Sequence, residues 1–249
     1  MGMCDLFALS AATNYSAPKA LPLFASRASK NVDGWGIGYF RKARALVERS
    51  AQRVYTPGQL HDSYQRLARV VNSKIIISHV RFRTSGPVDE CHAHPFVLSF
   101  CGCDWLFAHN GKAPAIEEYR TEGEVVAGAV SDSARAFEYL RDQMVSLWRG
   151  AASAPALFDL VCQGTGRMIE EYPGEYNYLL SNGLVIFAFT NHRQFMLLKG
   201  SRQLETGLLL TTLEKGLSDE DWRRIAKASS GRGLMLAIAG TDVVVGQAL

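Results

Sequence analysis

The 249-residue sequence has no run of about 20 consecutive apolar residues, the length a membrane-spanning helix requires. Its N-terminus has no basic region followed by an apolar stretch, so no secretory signal is expected. Charge of one sign is scarce. The 27 Lys and Arg residues stand against 24 Asp and Glu, a net +3, and the basic residues are scattered. That balance excludes nucleic acid as an expected partner. Cysteines are few and odd in number: Cys4, Cys91, Cys101, Cys103 and Cys162 suit neither a disulfide framework nor a zinc ribbon. Cys91-His92-Ala93-His94 lacks a second ligand pair at a zinc-like spacing, so neither a metal nor a cofactor is expected. Linkers, low-complexity tracts and internal repeats are also missing. One domain over residues 1–249 in a reducing cytoplasm is the resulting expectation.

What is present is an ordinary globular composition, 47% apolar and 20% charged, sufficient for a substantial core. Cys4–Ser10 reads as a strand, and Ala17–Ser29 as a helix with Pro18 in its first turn. Trp35–Phe40 and Leu46–Val54 read as strands joined by a basic turn. Pro57–Val71 has helical spacing through Leu60, Tyr64, Leu67 and Val71. Lys74–Arg81 contains Ile75-Ile76-Ile77 and suits a buried central strand. Val97–Phe100 and Trp105–Ala108 form a predicted hairpin, with Cys101 and Cys103 expected as reduced core thiols. Ser133–Trp148 and Ala154–Glu171 are predicted helices. Tyr176–Leu180 and Leu184–Thr190 flank the hairpin signal Ser181-Asn182-Gly183. Gln194–Lys199, Gly207–Thr212, Gly233–Ala239 and Asp242–Val245 add strands, and Asp219–Ala228 a short charged helix. Helices grouped between strand clusters suggest sheets stacked between helical layers.

Four segments place polar groups at the ends of apolar strands or the start of a helix. Cys4 is a buried strand cysteine unless Met3 is removed. Removal would give it an α-amine, a base with a reference pKa of about 7.7–8.0, beside its own thiol. Arg81 shares a sheet face with Ile75, Ile77 and His79, and its guanidinium fork wants a carboxylate from protein or ligand. Asn110-Gly111 is either a plain turn or a pair of oxyanion donors. In Ser131-Asp132-Ser133, either Ser131 or Asp132 caps a helix, or Asp132 accepts from a ligand ammonium.

Taken in order, Met-Cys-Asp-Leu-Phe-Ala-Leu-Ser, Asp33-Gly34-Trp35-Gly36-Ile37-Gly38, His79-Val80-Arg81 with Thr84, His94-Pro95-Phe96, Phe107–Gly111 and Ser131-Asp132-Ser133 resemble the class II glutamine amidotransferase domain. This is a branch of the N-terminal nucleophile hydrolases, and the likeness is to its small stand-alone members. The resemblance implies an α+β fold, a four-layer αββα sandwich of two mostly antiparallel sheets between helical layers. It implies that Cys4 attacks the γ-amide of glutamine, with its α-amine as base and Asn110 and Gly111 stabilising the oxyanion. Arg81 would hold the α-carboxylate, Asp132 the α-ammonium, and Gly34, Trp35 and Thr84 would line the pocket. Two features depart from the family pattern. Met1-Gly2 precedes Met3-Cys4, so maturation is expected either from a start at Met3 or by loss of a short leader. Ala134 stands where an acid often follows the Asp132 motif.

Three functions compete at this point. The first is a glutamine amidohydrolase or amidotransferase, with a partner protein accepting ammonia. The second is a hydrolase of a larger γ-glutamyl amide, such as a thiol-histidine biosynthesis intermediate. The third is a glutamine-binding relative without turnover, in which Cys4 stays internal.

Overall fold

Burial on both faces of the first strand sets the architecture. Phe7 and Leu9 pack into one apolar cluster, while Leu6 and Ala8 pack into another. A strand buried on both faces must lie inside a sheet covered on both sides. The computed structural model describes residues 3–150, 153–228 and 232–249, so Met1 and Gly2 of the expected leader fall outside the described residues.

In chain order, the elements begin with β1 (Asp5–Tyr15), α1 (Ala20–Arg27), β2 (Trp35–Arg41), β3 (Arg44–Ser50), β4 (Tyr55–Thr56) and β5 (Gln59–Leu60). They continue with α2 (Asp62–Val70), β6 (Ser73–Val80), β7 (Phe96–Phe100), β8 (Cys103–Asn110), α3 (Asp132–Leu147) and α4 (Ala154–Glu171). The last are β9 (Asn177–Ser181), β10 (Ile186–Thr190), β11 (Phe195–Lys199), β12 (Leu208–Thr211), β13 (Arg223–Ile225), β14 (Leu234–Ala239) and β15 (Asp242–Ala248). A seven-stranded sheet runs β13-β11-β12-β1-β6-β2-β3, and a six-stranded sheet runs β15-β14-β10-β9-β8-β7. The pairings in both are antiparallel.

Three apolar clusters mark the interfaces between four layers. Phe24 of α1 and Leu67 of α2 pack on Phe7 and Ile76 of the seven-stranded sheet. Leu6, Ile75 and Ile77 meet Leu106, Leu179 and Ile238 between the two sheets. Phe137 and Leu140 of α3 and Val161 of α4 cover Phe107, Tyr178 and Phe187 on the six-stranded sheet. This is the αββα sandwich that the resemblance implies.

Four local expectations need correction. The helix predicted over residues 57–71 begins only at Asp62, because Pro57-Gly58 turns the chain into the small β4–β5 ribbon, with Gly58 at φ +82°. The segment 219–228 is not helical. Residues 223–225 pair instead with β11, Ile225 opposite Phe195, so sheet pairing overrides local propensity. Cys101 and Cys103 sit half-buried in and beside the β7–β8 turn rather than in the core. Pro18 precedes α1 rather than entering it. The Glu205 carboxylate accepts from the N–H groups of Lys19 (2.8 Å) and Ala20 (3.0 Å), capping that helix from almost the other end of the chain.

Candidate active site

The alternation that builds the inter-sheet layer also assembles the site. In β1, Leu6 and Ala8 point between the sheets, and Cys4 has the same parity. In β6, Ile75 and Ile77 point there, followed by His79 and Arg81. In β8, Leu106 and Ala108 lead to Asn110, and in β9 Leu179 leads back to Asn177. With a side-chain period of two, each strand carries apolar residues through the layer and presents a polar group at the same end.

A cavity of about 30 Å³ lies at that end, lined by residues including Cys4, His79, Arg81, Thr84, Gly111 and Asp132. Although Cys4 is partly exposed as a residue, its sulfur is enclosed, and burial pushes the thiol pKa up to about 12 against the opposing pull of the Phe82 N–H. The sulfur accepts from that N–H at 3.2 Å and donates to the Phe82 carbonyl at 3.1 Å. Two donors fix the Cys4 carbonyl: Asn110 through Nδ2 (2.6 Å) and Arg193 through Nη1 (2.9 Å). An amide nitrogen has two protons, so Asn110 Nδ2 keeps a second N–H for another acceptor. Glycine is obligatory at position 111, because an added Cβ would lie 1.8 Å from the Glu175 carbonyl oxygen.

Arg81 donates to the backbone carbonyls of Pro87 (2.8 Å) and Ser85 (2.9 Å), so its fork is engaged by the loop that follows it. No structural salt bridge to a protein carboxylate holds it among the described residues. Asp132 opens α3, and Ser131 is the N-cap, accepting from the Ala134 N–H. The Asp132 carboxylate accepts from the N–H of Ala113 (3.0 Å) and of Ser133 (2.7 Å). His109 Nε2 faces the Glu175 carbonyl (3.2 Å), which can only accept; that nitrogen therefore carries the proton, and Nδ1 accepts from the Ser133 hydroxyl (2.8 Å).

His79, His94 and His109 are all buried, and burial lowers the pKa of each, that of His79 to about 3. The rings of His79 and His94 lie 4.4 Å apart, and neither nitrogen of His79 has a hydrogen-bond partner among the described residues. Repulsion between adjacent cations adds to desolvation, and the site holds these rings neutral. No cluster of metal-ligating side chains occurs among the described residues.

Two of the predicted pocket residues lie elsewhere. Trp35 has the opposite parity in β2, so its indole turns to the helical face, 5.1 Å from the Tyr64 ring and 5.2 Å from that of His61. Gly34 does not line the cavity. Its carbonyl accepts from the Arg81 N–H (2.8 Å), and at φ +122° it passes so close to Ser50 that a Cβ would meet that carbonyl oxygen at 2.6 Å.

Sequence reasoning missed the residues that hold Cys4 from behind. Arg193, just past β10, donates through Nη2 to Asp5 Oδ1 (3.2 Å) and to the Thr212 carbonyl (2.9 Å). Asp5 also accepts from Asn31 (2.9 Å) and the Thr212 hydroxyl (3.0 Å). Asn177 fixes the base of Arg193 by accepting from its backbone N–H (2.8 Å). The one available signal was Asp5 itself, a charge inside an apolar strand that needs a cationic partner.

Known proteins resemble this chain in sequence and in fold. The chain is 26% identical over 186 residues to a candidate glutamine amidotransferase of Haemophilus influenzae, covering 73% of this chain and 60% of that protein. It is 28% identical over 166 residues to the gamma-glutamyl-hercynylcysteine sulfoxide hydrolase of Mycobacterium tuberculosis, covering 63% of this chain and 66% of that one. The chain therefore matches only about two thirds or less of the length of these relatives. In fold, it superposes on a predicted glutamine amidotransferase from Pseudomonas aeruginosa PA01 with a TM-score of 0.67 at 17% identity, covering 97% of this chain and 100% of the other. It superposes on the glutamine phosphoribosylpyrophosphate amidotransferase from B. subtilis with a TM-score of 0.62 at 14% identity, covering 95% of this chain and 47% of the other. The family model of the class II glutamine amidotransferases matches residues 3–208, and the chain belongs to that family.

Proposed function

We propose that Cys4, once its α-amine is free, cleaves the γ-amide of glutamine through a γ-glutamyl thioester. The observation that carries this reading is the convergence of a thiol, an amide donor, a guanidinium and a carboxylate at one end of the inter-sheet layer. The enclosed thiol, with its pKa near 12, stays protonated at neutral pH and needs a base. The α-amine is that base, and its ammonium then stabilises the thiolate beside it. While Met3 acylates the nitrogen no such base exists, because an amide lone pair is delocalised.

The amine takes the thiol proton, and the sulfur attacks the γ-carbonyl carbon. The oxyanion receives the second N–H of Asn110 and the N–H of Gly111. On collapse the carbon–nitrogen bond breaks, its electron pair stays on nitrogen, and the α-ammonium returns the proton to release ammonia. Water, deprotonated by the same amine, attacks the thioester. The carbon–sulfur bond breaks, the sulfur regains its proton, and glutamate leaves. Arg81 exchanges the Ser85 and Pro87 carbonyls for the substrate α-carboxylate, since a charge-assisted bidentate pair outcompetes neutral acceptors. Asp132, already oriented by Ala113 and Ser133, takes the α-ammonium, and Thr84 lines the approach. Where glutamine is the substrate, a partner protein that consumes the ammonia is part of this proposal.

A second reading, hydrolysis of a larger γ-glutamyl amide, is favoured by the 28% identity to the mycobacterial hydrolase. Both readings use the same groups, which grip only the γ-glutamyl half. Intact mass combined with glutamate release tests the common core. Protein whose mass begins at Cys4 should turn over glutamine, and Cys4→Ser should lose that turnover. A mass beginning at Cys4 with no release from any γ-glutamyl amide would refute the proposal.

A further inference from the structure

A second cavity, of about 500 Å³, lies behind Cys4, walled by Met3, Asp5, Arg27, Lys30, Arg193 and Lys215 among others. Its lining includes the Asp5–Arg193 pair, and Arg193 also donates to the Cys4 carbonyl. Its rim is cationic. Arg27, Lys30 and Lys215 form no ion pair with a described carboxylate, and beyond Asp5 only Glu214 opposes them in the described wall. Three unpaired cations around one cavity are a marked concentration in a chain whose net charge is only +3. Arg27 ends α1, where a cation complements the helix dipole, but Lys30 and Lys215 have no such local reason to be there.

Proton transfer decides what this cavity faces. The amine that takes the thiol proton must return it to the leaving nitrogen, so the amine half of the substrate sits within hydrogen-bond reach of the Cys4 nitrogen. Met3 is bonded to that nitrogen and lines this cavity. Loss of Met3 therefore opens the cavity onto the base. In the proposed function the γ-glutamyl half is held in the other cavity, which Cys4, Arg81 and Asp132 line. A volume of about 500 Å³ far exceeds what ammonia needs and is in the range of small-molecule sites.

We infer that this cavity is the leaving-group site and that it selects γ-glutamyl amides whose amine half carries a carboxylate, seated against Arg27, Lys30 and Lys215. The inference rests on the amidohydrolase reading above and names its substrate class. The test compares γ-glutamylglycine with γ-glutamylglycinamide, which differ in charge at the far end but hardly in size. Protein with Cys4 as its first residue is assayed by glutamate release. The expected kcat/KM ratio favours the acid by tenfold or more at low ionic strength and shrinks as salt is added. In Arg27→Ala/Lys30→Ala/Lys215→Ala, all exposed positions, the ratio should fall to about one, and in Lys30→Glu alone it should drop several-fold. Turnover of both compounds at a ratio near one in the unsubstituted protein overturns this inference and leaves the amidohydrolase reading standing. No turnover of either compound or of glutamine overturns both.

Discussion

Arg193→Ala should cost stability in a way that depends on pH, because it strips the cationic partner from a carboxylate that burial already strains. Burial raises the Asp5 pKa, and among the groups that oppose that rise Arg193 comes first. The pair is well enclosed, with side-chain exposures of 16% for Arg193 and 10% for Asp5, so solvent screening gives little relief. Breaking one side of such a pair costs roughly 3–5 kcal/mol. Proton uptake sets a ceiling on the cost. Holding Asp5 neutral at pH 7, against an unfolded pKa near 3.9, costs about 4 kcal/mol at about 1.4 kcal/mol per unit. The two routes agree. The sign follows from Asp5 having a higher native pKa in the variant than in the unsubstituted protein, where burial already raises it against the pull of Arg193. The deficit is then small near pH 4, grows as pH rises, and levels off above the native pKa. Urea unfolding of the protein and the variant at several values between pH 5 and 8 measures this. In an Asp5→Asn background, Arg193→Ala should cost only its lost hydrogen bonds, about 1 kcal/mol each. A deficit that is the same at pH 5 and pH 8, and unchanged by Asp5→Asn, would refute the argument that the buried charge is responsible.

Asn110→Ala should lower kcat for the best γ-glutamyl substrate by about 10²–10³-fold, with a much smaller change in KM. Equal turnover in steady-state assays would remove Asn110 from the oxyanion role. The buried histidines give the fold an acid liability. Each has a native pKa below its unfolded value of about 6.5, so the unfolded chain binds more protons and stability falls as pH drops through that value. For His79, the loss continues down to about pH 3. The slope is at most about 1.4 kcal/mol per pH unit for each ring, and His79→Leu should remove one ring's share of it in chemical denaturation between pH 7 and 5. An unchanged slope would mean that His79 is not held neutral.

The residues proposed to carry chemistry were legible because most of them end a strand whose apolar pattern is plain in the sequence, while Asp132 stands at the start of a helix with a plain amphipathic pattern. Ile75 and Ile77 point to His79 and Arg81, and Trp105–Ala108 points to Asn110. The same alternation, applied to β2, would have turned Trp35 away from the pocket, and the motif obscured it. Helices α3 and α4 were legible because their amphipathic spacing needs nothing beyond the segment itself. Residues 223–225 were not, since their strand character comes from pairing with β11 across the intervening chain.

By itself, the sequence determined most of the strands and helices, the layered class and the polar groups at the strand ends and at the start of α3, because period and polarity are local properties. Only the tertiary structure decided that Arg193, 189 positions from Cys4, holds the cysteine carbonyl, and that Arg27, Lys30 and Lys215 surround one cavity beside Met3. Such contacts follow from sheet order and register, which bring distant segments together and leave no mark in the residues between them.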